Sequence, residues 1–171
     1  KIRARKMQII QKNNIIFLIM AFFLMSGCTD NIVFNQYKSI EDASWSATKN
    51  IDFEFSVSDT TSANNLFINL RNNSNYSFSN LYLITTLKFP NSTSVIDTLQ
   101  YEMTTPSGAF LGTGFSEIKD NKLFYRQQKV FPFSGNYIFS VRHAMRKNGE
   151  IHPIKNLEGI QEVGFSIEKT K

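Results

Sequence analysis

The chain is poor in the residues most enzymes work with: one cysteine and two histidines among 171 residues. A single cysteine closes no disulfide within the chain. With only His143 and His152 beside it, a zinc set could be completed only through carboxylates. No Gly-x-Ser-x-Gly elbow occurs, and pairing a histidine with one of many serines would be arbitrary. Gly108, Gly112 and Gly114 fall in the stretch 106–120, which reads as a wide connection between strands. They lack the strand-then-helix setting of a phosphate-cradling loop. Glu54, Asp59, Asp97, Glu102, Glu117 and Asp120 could supply a glycosidase pair, but such carboxylates usually solvate the outer face of strands. Asp30, Asp42, Asp52 and Asp59 are too widely spaced for a calcium loop. The expectation is a protein without catalytic activity, metal, cofactor or small-molecule substrate.

The body of the chain also lacks an excess of charge. The formal net charge is +5, but Lys1, Arg3, Arg5, Lys6 and Lys12 stand in residues 1–27 without an acid, so 14 basic and 14 acidic residues remain from Cys28 onward. A neutral body removes the main electrostatic support for nucleic-acid binding. With 42% hydrophobic and 19% charged residues, the composition is that of one ordinary globular domain.

The only long hydrophobic run is Ile15-Ile16-Phe17-Leu18-Ile19-Met20-Ala21-Phe22-Phe23-Leu24-Met25. It is shorter than the roughly 20 residues a bilayer crossing needs. Basic residues before it and small ones after it describe a secretory signal peptide, with Met7 the expected start. Leu24-Met25-Ser26-Gly27-Cys28 resembles the lipobox of bacterial lipoproteins, so cleavage is expected between Gly27 and Cys28, with Cys28 lipidated and anchoring the protein in a membrane. Two or three acyl chains make such an anchor effectively permanent. Residues 28–50 show neither helical nor strand periodicity and are read as the lipidated start and a tether, with Trp45 packing over the end of the domain that follows.

From residue 51 the hydrophobic period is two. Ile51, Phe53, Phe55 and Val57 alternate with Asp52, Glu54 and Ser56, and Leu66, Ile68 and Leu70 repeat the pattern. After Asn72-Asn73-Ser74-Asn75 comes the run 81–87, which together with 66–70 resembles a hairpin. Runs at 95–101, 123–130, 137–142 and 163–167 bring the count to about seven or eight strands, with no amphipathic helical stripe in the mature chain. Strands with one wet face must bury the other, so residues 51–171 are expected to form an antiparallel β-sandwich, immunoglobulin-like or jelly-roll-like. The lack of a disulfide and of a central-strand tryptophan disfavours a true antibody-type domain.

A family resemblance rests on an ordered set of segments: Asn65-Leu66-Phe67-Ile68-Asn69-Leu70-Arg71-Asn72, Phe78-Ser79-Asn80-Leu81-Tyr82-Leu83-Ile84, Phe89-Pro90-Asn91, Asp97-Thr98-Leu99-Gln100-Tyr101-Glu102-Met103, Gly112-Thr113-Gly114-Phe115-Ser116-Glu117-Ile118-Lys119 and Val163-Gly164-Phe165-Ser166-Ile167-Glu168. Together with Val33-Phe34, Tyr37-Lys38-Ser39-Ile40 and Trp45 they resemble the gliding-motility lipoprotein family GldH of Bacteroidota. The resemblance implies an envelope lipoprotein required for gliding, linked to the type IX secretion machinery and acting by binding other proteins of that machinery. It brings no catalytic residue.

The connection 106–120 and the turn 72–80 are the first candidate docking segments, the turn read chiefly as an ordinary polar hairpin loop. Thr29-Asp30-Asn31 lacks the lysine-plus-acid cluster that resembles a surface-export signal in this phylum, which favours a periplasm-facing outer-membrane location. The alternative function is a surface lipoprotein that binds polysaccharide on aromatic platforms such as Trp45, Tyr82 or Tyr125.

Overall fold

The computed structural model describes residues 31–114 and 117–170; the expected signal segment and Cys28 lie outside them. Ten strands follow one another: β1 (Ile32–Ser39), β2 (Ser44–Ser46), β3 (Ile51–Val57), β4 (Asn64–Asn72), β5 (Asn80–Lys88), β6 (Ser94–Glu102), β7 (Lys119–Lys129), β8 (Gly135–His143), β9 (Asn156–Glu158) and β10 (Ile160–Lys169). They form two four-stranded sheets, β1-β10-β4-β7 and β3-β8-β5-β6, and a ribbon of β2 and β9. Every pairing is antiparallel.

The pairings nest. β1 pairs with β10, β2 with β9, β3 with β8, β4 with β7 and β5 with β6, so the strand numbers of each pair add to eleven. This is one long hairpin rolled over itself, its tip at β5–β6, and the lateral contacts β10·β4 and β5·β8 convert the roll into two facing sheets. That connectivity is a jelly roll, which decides between the two sandwich types left open by the periodicity. It also explains why 66–70 and 81–87 are not a hairpin: away from the β5–β6 tip, a rolled hairpin passes its chain from one sheet to the other, and β4 and β5 lie in different ones.

Strand formation starts earlier than the periodicity indicates. Residues 32–39, read as tether, are β1, paired along its length with β10, and Trp45 in β2 is fully buried. An edge strand whose burial comes from a single long-range partner shows little alternation of its own, and here Asn35, Gln36 and Lys38 break the pattern. Trp45 does pack over one end of the sandwich. Its ring meets the His143 ring edge-on at 5.5 Å, and its indole N–H donates to the Lys49 carbonyl.

Period-two alternation delivers the core. Phe53 and Phe55 of β3, Leu81 and Leu83 of β5, and Tyr137 and Phe139 of β8 face Leu66, Ile68 and Leu70 of β4 and Val163, Phe165 and Ile167 of β10, all buried. Phe165 is the hub, stacked on Phe139 at 4.1 Å between centroids and touching the rings of Phe53, Phe55 and Phe34 at 6.1, 5.6 and 6.1 Å. It joins the sheets through their middle. One lateral side of the sandwich is closed by apolar packing of Phe34 on Phe55. The other is stitched by polar groups: the Tyr101 hydroxyl donates to the Phe124 carbonyl at 2.7 Å, and Asp97 accepts from the Tyr125 hydroxyl at 2.8 Å and from Arg126 at 2.7 Å. Burial, reinforced by Asp97, pushes the Tyr125 hydroxyl up to about 12, so it stays a donor.

His143 closes the end beneath Trp45. It is fully buried, and its Nε2 lies 2.9 Å from the Trp45 carbonyl oxygen. An acceptor there assigns the proton to Nε2 and leaves Nδ1 as a lone pair without a hydrogen-bond partner. Burial, assisted by the nearby Arg142 charge, holds the imidazole pKa below its ordinary 6.5, against the opposing effect of the Trp45 carbonyl.

Phe165→Ala should cost about 3–5 kcal/mol in urea denaturation, as for a large aromatic removed from a core. Because the folded pKa of His143 is depressed, its contribution is fully present above the unfolded value of 6.5 and is lost as pH falls below it toward the folded value. His143→Phe should therefore flatten the decline in melting temperature between neutral and mildly acidic pH; an unchanged profile would contradict the assignment.

Candidate functional site

The residues singled out as possible platforms or catalytic groups are mostly committed to the fold. Trp45 and Tyr125 are buried, at 0% and 8% exposure, and Tyr82 is half-buried on the outer side of β5, so no row of exposed aromatics forms from these three. Asp59 turns its carboxylate onto its own loop, accepting from Thr61 and Ser62, which holds it far below the usual carboxylate range. Asp97 is engaged at the stitched edge, and Asp120 pairs with Arg71. Among the described residues no three histidine, cysteine or carboxylate side chains converge as a metal cluster would require.

The turn 72–80 is pinned down and crosses between the sheets. Tyr76 is buried, and its hydroxyl donates to the Asn80 carbonyl. Gly159 sits so close to the Asn75–Tyr76 backbone that a Cβ there would meet the Tyr76 nitrogen at 2.2 Å, and its φ of +86° is one that glycine adopts freely. The connection 106–120 is more open. Thr113 and Asp120 exchange backbone hydrogen bonds, and Gly112 lies against Asn121, which lays the connection along the free edge of β7.

That connection flanks the outer face of the β1-β10-β4-β7 sheet, where three ion pairs, a buried hydrogen bond and two cation–ring contacts are gathered. Arg71, projecting from β4, donates to Asp120 of β7 and Glu162 of β10, both at 2.6 Å, and its guanidinium lies 5.0 Å from the centre of the Tyr37 ring. Two carboxylates raise the Arg71 pKa further, so its charge is permanent. Tyr37 in turn covers Gly164: a Cβ there would meet the ring at 2.8 Å and the Gln36 carbonyl at 3.0 Å. Burial against this surface raises the Tyr37 pKa, partly opposed by Arg71.

Next along the face, Asn69 donates to Ser166 at 2.9 Å, and both are buried although they point outward. Lys122 pairs with Glu168 at 2.6 Å and sits 4.2 Å from the centre of the Phe67 ring, which packs edge-on against the half-exposed Phe124. Of the four ion pairs found among the described residues, three stand on this face. A hollow of about 410 Å³ runs from Tyr37, Asn69 and Lys122 around the β7 edge to Leu111 and Glu102.

Periodicity showed that Asn69 and Arg71 point away from the core but not that they would meet partners from three strands. The one local signal was Gly164 in the middle of a strand, which marks a close approach by another group. We expect Gly164→Val to destabilise by about 1–3 kcal/mol through overpacking. Tyr37→Ala should recover part of that loss in a double-mutant cycle read by urea denaturation; strict additivity would show that the ring does not rest on Gly164.

The family described as GldH lipoprotein matches residues 32–167. A relative in Christiangramia forsetii, named gliding motility lipoprotein GldH homolog, is 43% identical over 157 residues, covering 92% of this chain and 96% of its own. One in Flavobacterium johnsoniae, named gliding motility lipoprotein GldH, is 41% identical over 158 residues, covering 92% and 97%. Among solved structures, the infectious bursal disease virus VP2 subviral particle aligns with 80% of this chain and 34% of its own at 11% identity and a TM-score of 0.35, too distant to carry an argument. With the family match spanning both sheets from β1 to β10, the chain belongs to the GldH lipoprotein family: it is a gliding motility lipoprotein of the bacterial envelope.

Proposed function

We propose that this lipoprotein is a membrane-tethered adaptor or assembly component of the gliding machinery, linked to type IX secretion, that works by holding a protein partner on the outer face of the β1-β10-β4-β7 sheet. The observation that carries the reading is the ordered layer of Tyr37, Arg71, Lys122 and their partners. Exposed ion pairs add about 0–1 kcal/mol each to stability at most, so stability alone gives little reason to fix three of them side by side. A face whose long side chains are already fixed loses less conformational freedom when a partner docks. The half-exposed Tyr37 and Phe124 supply the apolar and aromatic contact on which binding energy concentrates.

The anchor completes the reading. With Gly27–Cys28 as the cleavage point and Cys28 acylated, the domain is confined to a surface, and its effective concentration toward partners on the same membrane rises without any new contact. A periplasm-facing outer-membrane position fits Thr29-Asp30-Asn31, which lacks the lysine-plus-acid cluster that resembles a surface-export signal. The polysaccharide reading loses two of its three named platforms, since Trp45 and Tyr125 are interior and Tyr82 alone is left on an outer face.

The test is deletion in the host, complemented with wild type or Cys28→Ala, with single-cell gliding and the secreted proteins followed together. The expected result is loss of gliding, restored by the wild type and not by Cys28→Ala. Gliding and secretion both normal in the deletion would contradict the reading.

A further inference from the structure

The strand order sends both termini of the domain and three loops to one end of the sandwich. β1 begins there and β10 finishes there, Ile32 opposite Glu168 and Lys169 opposite Asn64. The loops 57–64, 88–94 and 129–135 close the same end, as Val57 opposite Gly135 and Lys88 opposite Ser94 show. Only residues 29–31 separate Cys28 from β1. Four Cα steps reach about 14 Å at full extension, less than half the thickness of a hydrocarbon core. If Cys28 is held in a bilayer, this end cannot stand far from it.

Its chemistry suits that position. Val33, Val130 and Phe133 are exposed at 52%, 41% and 44%, and Ile32 at 47%. Three lysines, Lys88, Lys129 and Lys169, stand at the same end. Glu168 pairs with Lys122 and Asp97 with Arg126, while Glu54 lines the hollow beside Lys88 and Asp59 keeps its charge in the 57–64 loop. Exposed apolar side chains with lysines beside them, Lys88, Lys129 and Lys169 against the open carboxylates Glu54 and Asp59, form an interfacial surface in which the former enter the headgroup boundary and the lysines meet anionic phosphates.

We infer that this end of the jelly roll, through Val33, Val130, Phe133 and the lysines beside them, docks onto the headgroup region of the bilayer that holds Cys28, fixing the domain's orientation. The inference rests on the proposed acylation of Cys28. Docking turns a lipid leash into a fixed mount: the long axis of the sandwich stands off the membrane, and the outer face of the β1-β10-β4-β7 sheet is presented sideways to neighbours on the same surface.

The test uses the acylated full-length mature protein in phosphatidylethanolamine vesicles with and without phosphatidylglycerol. Cys28 is the only cysteine, so Ser134→Cys in the 129–135 loop, or Asn148→Cys at the far end, gives a single free thiol for a fluorescent label. Mass spectrometry first records the acyl groups on Cys28. With acylation present, the label at 134 should be several-fold less accessible to aqueous iodide than the label at 148 and should be quenched by a lipid-borne quencher. Phe133→Ser combined with Val130→Ser should remove most of that shielding, and Lys88→Glu with Lys129→Glu should remove its dependence on phosphatidylglycerol. Equal iodide access at 134 and 148 on acylated protein overturns the docked orientation while leaving the anchor intact. Absence of acyl groups on Cys28 overturns the anchor and the docking together.

Discussion

The structure depends on β10, the last long strand, running between β1 and β4 and pressing Phe165 into the opposite sheet. Without it β1 has no partner, the outer pair of the rolled hairpin is open, and the rings of Phe34, Phe53, Phe55 and Phe139 lose the one side chain they share. Pairing the first strand with the last also makes the fold rich in long-range contacts, a topology in which loop closure must be achieved before most contacts can form. The same strand carries Gly164 and Ser166 outward, so the element that organises the core also sets the floor of the exposed face.

Core and face therefore share a strand and divide its residues by parity. Odd positions of β10, Val163, Phe165 and Ile167, hold the sheets together, and even positions, Glu162, Gly164, Ser166 and Glu168, meet Arg71, Tyr37, Asn69 and Lys122. A one-residue slip in register would exchange the two sets, burying carboxylates and exposing the aromatic hub. The buried Asn69–Ser166 bond, on an otherwise solvated side, is satisfied only in the observed register and so helps to specify it.

How much of this was legible follows from where each signal comes from. Alternation in 51–57 and 64–72 is a property of single strands, and it identified the inner faces of β3 and β4 directly. Sheet membership is a property of pairs far apart in sequence, which is why β4 and β5 looked like a hairpin and proved to lie in different sheets. β1 was missed for the same reason: an edge strand's regularity is borrowed from β10, more than a hundred residues away. The expectation of a lipid anchor at Cys28 rests on a short local motif outside the described residues, whereas the Arg71 cluster draws on β1, β4, β7 and β10 and exists only once the sheet is assembled. The family resemblance, carried by segments spread over nearly all strands, agreed with the comparison spanning residues 32–167.

The central claim is that the ordered outer face of the β1-β10-β4-β7 sheet, and not the opposite face, is where the protein meets its partner. The most direct measurement is single-cell gliding in cells that carry Tyr37→Ala with Phe124→Ser, compared with cells carrying Ile84→Ser with Ile96→Ser on the outer side of β5 and β6, at matched protein levels. Gliding lost in the first strain and kept in the second is the predicted result. Gliding kept in the first strain and lost in the second would move the working surface to the other sheet.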